Sequence, residues 1–361
     1  MTTQSKKKFK YDFTTVPIED TNNIRFNPFN GDIVGVGGCT NTPRNFCVWD
    51  GNTHELKYHF VDQDKVGNAF MYLAFSIDGK YMAAIGSCNG YHLHIWDAHT
   101  YEHIKAINLL ADLLPRNEDG TLDTDEPNYR KDGLMTYQPI FCSVPGHEHD
   151  IVVPCSDWHY RLYKIDQDEL ITMFCFRNVK GGFKSATFFA FVESESVPGA
   201  YDHLLGNGLN LEWRSSSFKE KRTIHLPSEC GIYEHCYIEK RRQIFSIITN
   251  SKLKNEWGTI LLTDDRLRSD PERIQIKIQL PVTVIAYSSH DDVVAIGLNN
   301  RSIVFFDIKT RSICGRICAK DVPPYFLLHS LAFKQNESRL ATLDRYHTET
   351  IRDISYEIVR Q

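Results

Sequence analysis

The sequence lacks any long apolar run. No stretch of its 361 residues approaches the roughly 18 apolar residues that a membrane-spanning helix requires. The N-terminal stretch MTTQSKKKFKYDF also lacks the apolar segment of a secretory signal peptide. These two absences predict a protein without a membrane span that resides in the cytoplasm, in the nucleus or in both.

Paired cysteines are also missing, although cysteine itself is not scarce. The 10 cysteines are spread along the chain without a CxxC spacing, and three residues separate Cys314 from Cys318. Scattered cysteines in a chain without a secretory leader indicate reduced, mostly buried thiols, not a disulfide framework or a zinc site. The glycosylation sequon Asn336-Glu337-Ser338 is then incidental.

The chain has no excess of positive charge. Its 41 Lys and Arg residues stand against 46 Asp and Glu residues, which gives a net charge of −5. Local basic clusters at 6–8, 219–222 and 240–242 are typical of solvated turns. The net charge therefore does not indicate a nucleic-acid partner, although such a partner stays an alternative.

Motifs for catalysis and cofactor binding are absent as well. The sequence contains no GxSxG nucleophile elbow and no Walker motif. Gly35-Val36-Gly37-Gly38 lacks the GxGxxG spacing and precedes no predicted helix, so it is typical of a strand end. We expect no catalytic residue and no cofactor, and hence a protein that is not an enzyme. An enzyme whose residues come from separated loops stays an alternative.

Three groups of residues offer metal ligands, and each favours a structural role. His92 and His94 share one face of a predicted strand, but no further ligands stand at a zinc spacing. The run 147–150, His-Glu-His-Asp, supplies ligand atoms from a single turn. The acidic residues within 119–126 miss the EF-hand spacing, which leaves a solvated loop or a partner-docking segment. We therefore expect no metal site.

What the sequence does contain is a stretch that predicts three short strands. These are Tyr72–Phe75, Tyr81–Gly86 and Tyr91–Asp97, each rich in aromatic and branched residues that suit a packed sheet. The dipeptide Asp78-Gly79 between the first two is typical of a hairpin turn, because its residues tolerate positive φ angles. The stretch thus predicts consecutive antiparallel strands.

This pattern recurs along the chain at a nearly constant period. Taking Trp96 at the end of the third strand as reference, the equivalent positions are Trp49, Tyr163, Trp213, Leu262, Phe306 and Ile351. The intervals between them are 47, 67, 50, 49, 44 and 45 residues. Such a period predicts a propeller of seven four-stranded blades. The long interval places an acidic insertion, 108–138, between blades two and three.

The repeats resemble those of the WD40-repeat β-propeller family. The resemblance is carried by Trp49-Asp50 and Trp96-Asp97, with Phe306-Asp307 as a near match. The sequence departs from the family in lacking its Gly-His pair before the first strand of each blade. The resemblance implies an all-β, seven-bladed WD40-like propeller in which residues 1–361 form a single domain. Segment 8–16, which alternates aromatic and polar residues, is expected to close the ring by joining the last blade.

The resemblance also implies a function in binding proteins. We expect a non-catalytic scaffold or adaptor in a multiprotein complex, with partners held by loops between the second and third strands of the blades. Those loops contribute nine candidate partner-binding residues, with Trp158 as the anchor: Asn41, Arg44, Asn89, Tyr91, Asp157, Trp158, Asn207, Asn300 and Arg301.

Two further functions stay open on the sequence. One is a chromatin, histone-tail or nucleic-acid recognition subunit. The other is a substrate receptor of a cullin-type ubiquitin ligase. The receptor signature of that family ends in Trp-Asp-x-Arg, and Phe306-Asp307-Ile308-Lys309 approaches it with two departures.

Overall fold

A computed structural model describes most of the chain. The described residues are 9–17, 21–39, 42–66, 69–86, 92–109, 137–155, 159–174, 188–206, 210–217, 219–226, 233–249, 257–278, 281–318, 327–345 and 350–358. Within these ranges the strands form seven separate four-stranded antiparallel sheets, which are the seven predicted blades.

The first three blades follow the N-terminal strand β1 (Phe9–Pro17). Blade one contains β2 (Thr21–Phe26), β3 (Ile33–Cys39), β4 (Thr42–Trp49) and β5 (Leu56–Val66). Blade two contains β6 (Phe70–Phe75), β7 (Tyr81–Gly86), β8 (His92–Asp97) and β9 (His103–Asn108). Blade three contains β10 (Ile140–Phe141), β11 (Asp150–Pro154), β12 (His159–Lys164) and β13 (Glu169–Phe174).

The next three blades repeat the same order. Blade four contains β14 (Phe188–Glu193), β15 (Tyr201–Gly206), β16 (Asn210–Arg214) and β17 (Lys221–His225). Blade five contains β18 (Tyr233–Ile238), β19 (Gln243–Thr249), β20 (Trp257–Asp264) and β21 (Glu272–Lys277). Blade six contains β22 (Val282–Ser288), β23 (Val293–Leu298), β24 (Ile303–Asp307) and β25 (Ser312–Ile317). Short 3-10 turns occupy Ile165–Gln167 and Glu239–Arg241.

Blade seven joins the two ends of the chain. It contains β26 (Leu327–Phe333), β27 (Arg339–Arg345) and β28 (Thr350–Ile358), and β1 pairs antiparallel with β28 as its fourth strand. The pairing runs from Phe9 opposite Ile358 to Pro17 opposite Thr350. The predicted closure by the N-terminal strand is therefore confirmed, and it covers an edge of β28 that would otherwise be unpaired.

The seven blades surround a central axis. Their first strands contact one another in sequence, with β26 against β2, β2 against β6 and β18 against β22. The first strands thus line a central channel, while the fourth strands lie at the periphery. The three consecutive strands predicted for the stretch around Trp96 are present as β6, β7 and β8, and Gly79 adopts a positive φ of 71° in the turn between β6 and β7.

The apolar core is divided among the junctions between blades. Seven clusters of buried side chains are found in the described residues, one at each of the seven junctions. Strand β24 shows the principle, because Val304 and Phe306 join the cluster shared with blade five. Ile303 and Phe305, on the opposite face of the strand, join the cluster shared with blade seven. Burial on both faces explains why the central strands are apolar without alternation.

Four of the reference residues at the ends of third strands occupy one structural position. Trp49, Trp96, Tyr163 and Phe306 each pack against the preceding blade. The other three, Trp213, Leu262 and Ile351, pack against the following blade. All seven lie on third strands as predicted. The last three, however, are an odd number of residues away from the position that the other four share, and an odd offset places a side chain on the opposite face of a strand.

Two sequence predictions cannot be placed. The acidic insertion predicted at 108–138 falls mainly on 110–136, which lie outside the described residues. The single-domain assignment of residues 1–361 is likewise not tested beyond the described ranges. Among the described residues, no helix has the length and apolar character that crossing a membrane would require.

Candidate functional site

The ring presents two faces with different connections. We name the face that carries the turns between strands one and two, and between strands three and four, the turn face. The opposite face carries the connections between strands two and three and between successive blades, and we name it the loop face. The connections between strands two and three, to which the sequence analysis assigned the partner-binding residues, belong to the loop face.

Six of those nine residues are outside the described part of the chain. They are Asn41, Asn89, Tyr91, Asp157, Trp158 and Asn207. Of the three that are described, Asn300 is exposed and its side-chain oxygen accepts a hydrogen bond from the Ser302 amide at 3.0 Å. Arg301 is buried in the same turn, at 6% exposure and with a positive φ of 65°. The predicted binding role of this set stays a prediction.

Arg44 lies in the junction between blades one and two, not on an open surface. It is 6% exposed, and its guanidinium carbon lies 5.2 Å from the centroid of the Phe70 ring. Its Nη1 is 3.0 Å from His94 Nε2. Because arginine only donates, Nε2 of His94 accepts this hydrogen bond, and the other ring nitrogen faces His103 Nε2 at 3.2 Å.

The candidate metal ligands are held in separate contacts. His94 stacks on Trp96 with ring centroids 5.6 Å apart, and its Nε2 already contacts a cation. His147 donates from Nε2 to the Gly199 carbonyl at 2.8 Å, whereas His149 faces Asp78 and Asp166. The described residues contain no group of three or more His, Cys, Asp or Glu side chains placed to hold a metal ion.

Polar contacts cross every junction on the turn face. Each joins a side chain of one blade to a turn or strand of its neighbour. From the first junction round the ring, the pairs are Tyr101 with Asn27, His149 with Asp78, His147 with Gly199, Arg266 with Asp202, Arg241 with Asp292, Tyr356 with Asp291, and Arg339 with Gly51. The charged groups of this face thus fix neighbouring blades relative to one another.

The two WD dipeptides have a defined local role in these turns. Asp50 accepts hydrogen bonds from the amides of Asn52 and Thr53, both at 2.8 Å. Asp97 accepts equivalent bonds, also at 2.8 Å, from the amides of His99 and Thr100. The amide of Thr53, followed by that of Asn52, lowers the pKa of Asp50 to about 2. The carboxylates therefore shape the turn between strands three and four of each blade.

A cavity of about 330 Å³ lies where the central channel meets the turn face. It is bordered by the ends of β2, β6 and β26 and by β10, and so by blades seven, one, two and three. Arg25 is among its lining residues, together with aromatic rings such as Phe75 and Phe333. The sequence analysis gave this arginine no role, and its position between Ile24 and Phe26 in β2 was the available signal.

The channel also holds a carboxyl group towards its other end. Glu234, on the first strand of blade five, is partly buried, and this burial raises its pKa to about 7. Burial, followed by the influence of Tyr137 and Glu234, raises the pKa of Tyr72 on the first strand of blade two. Groups from blades two and five therefore influence one another across the channel.

Three solved structures are similar to this chain over nearly their whole lengths. The WD40 repeats of RRP9 align with a TM-score of 0.65 and 12% identity, covering 96% of this chain and 98% of that one. U3-55K aligns with a TM-score of 0.64 and 12% identity, covering 95% and 98%. The β-propeller domain of Cps50 (Swd1) from Myceliophteria thermophila aligns with a TM-score of 0.65 and 14% identity, covering 96% and 99%.

No protein-family model matches the sequence, and no curated protein matches it. The likeness to solved structures at this low identity concerns the fold. Together with the seven sheets around one axis, it establishes a seven-bladed β-propeller fold that is similar to the solved WD40-repeat propellers.

Proposed function

We propose that this propeller is a non-catalytic scaffold or adaptor subunit of a multiprotein complex and binds protein partners through its faces. The observation that carries the proposal is the closed ring, in which every junction has both an apolar cluster and a polar contact. A ring fixed in this way holds its loops in constant relative positions, as simultaneous binding of several partners requires.

The charged residues of the turn face support the non-catalytic part of the proposal. Arg266 is 2% exposed and contacts Asp202 together with the Glu193 carbonyl. Such charged groups hold neighbouring blades together and do not converge on a common reaction centre. The structural neighbours are likewise propellers named for their WD40 repeats or β-propeller domain.

For the principal partner site we propose the loop face, with Trp158 as its anchor. Exposed Asn300 supports this choice, because amide side chains supply adaptable hydrogen bonds at interfaces. We further propose a cytoplasmic or nuclear location. Cys47, Cys142, Cys236 and Cys318 carry free thiols, as suits a reducing compartment.

Affinity purification of the tagged full-length chain tests the proposal. We expect stoichiometric protein partners to be recovered in a salt-resistant complex. The matched control is the same chain carrying Trp158→Ala, which we expect to lose the principal partner. Recovery of no stoichiometric protein, or retention on nucleic acid alone, would contradict the scaffold function.

A further inference from the structure

The cavity at the turn-face end of the channel contains a cation, Arg25, to which the described part of the chain gives no counter-charge. Arg25 is partly buried there, and its Nη1 donates to the Ile24 carbonyl at 2.7 Å and to Ser330 Oγ at 3.2 Å. Across the described residues, no carboxylate forms an ion pair with this guanidinium. Burial lowers the pKa of Arg25 to about 10, so the group is still charged at neutral pH.

This isolation contrasts with the other arginines of the turn face. Arg266, Arg241 and Arg339 each contact a carboxylate of the same face. A partly buried charge that has hydrogen-bond partners but no ionic partner still costs free energy, because the interior solvates it less well than water does. Because the described residues place no carboxylate on Arg25, its guanidinium is available to an anionic group that enters the cavity.

Most residues that line the cavity are apolar, although Ser76, Gln138, Ser143 and Gln335 also contribute to its wall. Phe75 and Phe333 line it, and Ile77 at its edge is 43% exposed. Phe29 lies beside the lining residue Pro28 and is 59% exposed, the most exposed of the large apolar side chains described. Its ring stacks on His99 with centroids 3.6 Å apart. Phe29 also lies so close to Gly79 that a Cβ atom added to this glycine would be 2.9 Å from Phe29 Cβ. The exposed ring is therefore held in place by the neighbouring blade.

We propose that this cavity binds an acidic side chain of an extended peptide segment in a partner protein, with the carboxylate on Arg25 and a neighbouring apolar residue against Phe29 and Ile77. A volume near 330 Å³ lies at the low end of ligand pockets, about 300–1,000 Å³, and suits one or two residues. The site is on the face opposite the proposed Trp158 site, so an experiment can contradict either proposal without contradicting the other.

A carboxylate suits the site better than a phosphate does. A phosphate dianion generally draws on more than one cation, and the nearby cation Lys334 is already paired with Glu337 at 2.7 Å. A peptide suits the site better than a small carboxylate, because a molecule confined to the cavity would leave the apolar rim uncovered.

Selection of random peptides displayed on phage against the full-length protein tests the proposal. We expect enrichment of sequences that place Glu or Asp beside an aromatic or aliphatic residue. The best such peptide, made with a fluorescent label, is then measured for affinity alongside the same peptide with Gln for Glu. We expect the Gln peptide to bind at least about tenfold more weakly, since a charge-assisted hydrogen bond is lost.

Variants of the protein assign the binding to this cavity. Arg25→Gln is expected to weaken the acidic peptide at least about tenfold while leaving the weak Gln peptide unchanged. Ile77→Glu, on the exposed rim, is expected to weaken the acidic peptide without affecting folding. Arg316→Gln, on the exposed edge of blade six, is the matched control and should bind normally. The melting temperature of each variant, with and without peptide, separates loss of binding from loss of folding.

Four results would overturn the proposal. The first is equal affinity of the Glu and Gln peptides for the wild-type protein. The second is unchanged binding by a folded Arg25→Gln variant. The third is binding of N-acetylglutamate as tight as that of the peptide, which would assign the site to a small carboxylate. The fourth is tighter binding of a phosphoserine peptide than of the Glu peptide.

Discussion

The Nε2 atom of His149 in blade three lies 2.9 Å from Oδ2 of Asp78 in blade two. The other ring nitrogen of His149 lies 2.7 Å from Asp166 Oδ2. One imidazole therefore contacts two carboxylates, Asp78 across the junction and Asp166 in its own blade. This arrangement favours the imidazolium form. Burial by itself lowers the pKa of His149, and the contacts with Asp78 and Asp166 reverse this, so that the pKa is raised.

This contact predicts a pH dependence of stability. Because the folded-state pKa of His149 is raised, its contribution is fully present below pH 6.5 and is lost as the pH rises through the folded pKa. We expect wild type to exceed His149→Gln in melting temperature at pH 6, with the difference shrinking by pH 9. His290→Gln, at an exposed site, is the control. A difference that is constant with pH would contradict the imidazolium assignment.

The partly buried carboxyl of Glu234 also predicts that stability falls as the pH rises, but for a different reason. Its folded-state pKa of about 7 exceeds the ordinary 4.5, so folding is disfavoured as the pH rises through that interval. We expect Glu234→Gln to stabilise the protein at pH 8 by about 3 kcal/mol and to have little effect at pH 4.5. Urea unfolding at both pH values measures this. Glu239→Gln, at an exposed neighbouring site, should change neither value.

The contact between Arg266 and Asp202 predicts a large loss on truncation. Both side chains are 2% exposed, so Arg266→Met would leave a buried carboxylate without its cation. We expect a loss of about 3–5 kcal/mol. The matched control is Arg268→Met, which breaks an exposed pair with Glu195 and should cost about 1 kcal/mol or less. Combining Arg266→Met with Asp202→Asn should recover part of the loss, and no recovery would argue against the ionic contact.

The pairing of β1 with β28 predicts the effect of shortening the chain. Deleting residues 1–17 removes the fourth strand of blade seven and leaves β28 as an unpaired edge. We expect the melting temperature to fall by at least roughly 5 °C, and self-association to increase in light scattering. Deleting residues 1–8 is the control, because it keeps every paired residue of β1. Equal behaviour of the two deletions would mean that the pairing contributes nothing to closure.

The proposed anchor Trp158 gives the last prediction. As an interface hot spot, Trp158→Ala should weaken partner binding by about 2 kcal/mol or more while the melting temperature is unchanged. Ile104→Ala, which is 47% exposed on the outer edge of blade two, is the control for loss of surface apolar area. A loss of stability of about 3–5 kcal/mol with normal binding by the folded fraction would instead assign Trp158 to the core.

The sequence by itself determined the repeat and the type of each element. Short strands rich in aromatic and branched residues, spaced by turn residues, predict β7 at Tyr81–Gly86 with the bounds that the structure has. The alternation around Phe9–Pro17 likewise predicts an edge strand that closes the ring. These signals are local, because strand propensity and turn chemistry depend on residues close together in the chain.

The tertiary structure decided which face of each strand packs against which neighbouring blade. It also decided which groups surround the charged residues. Trp213, Leu262 and Ile351 are on the predicted strands but face the following blade. A strand buried on both faces has no polar alternation to fix its register, so only packing against two neighbours does so. In the same way, Arg44 is buried against His94, and no carboxylate among the described residues pairs with Arg25. Which charges meet depends on residues far apart in the sequence, and no local pattern specifies it.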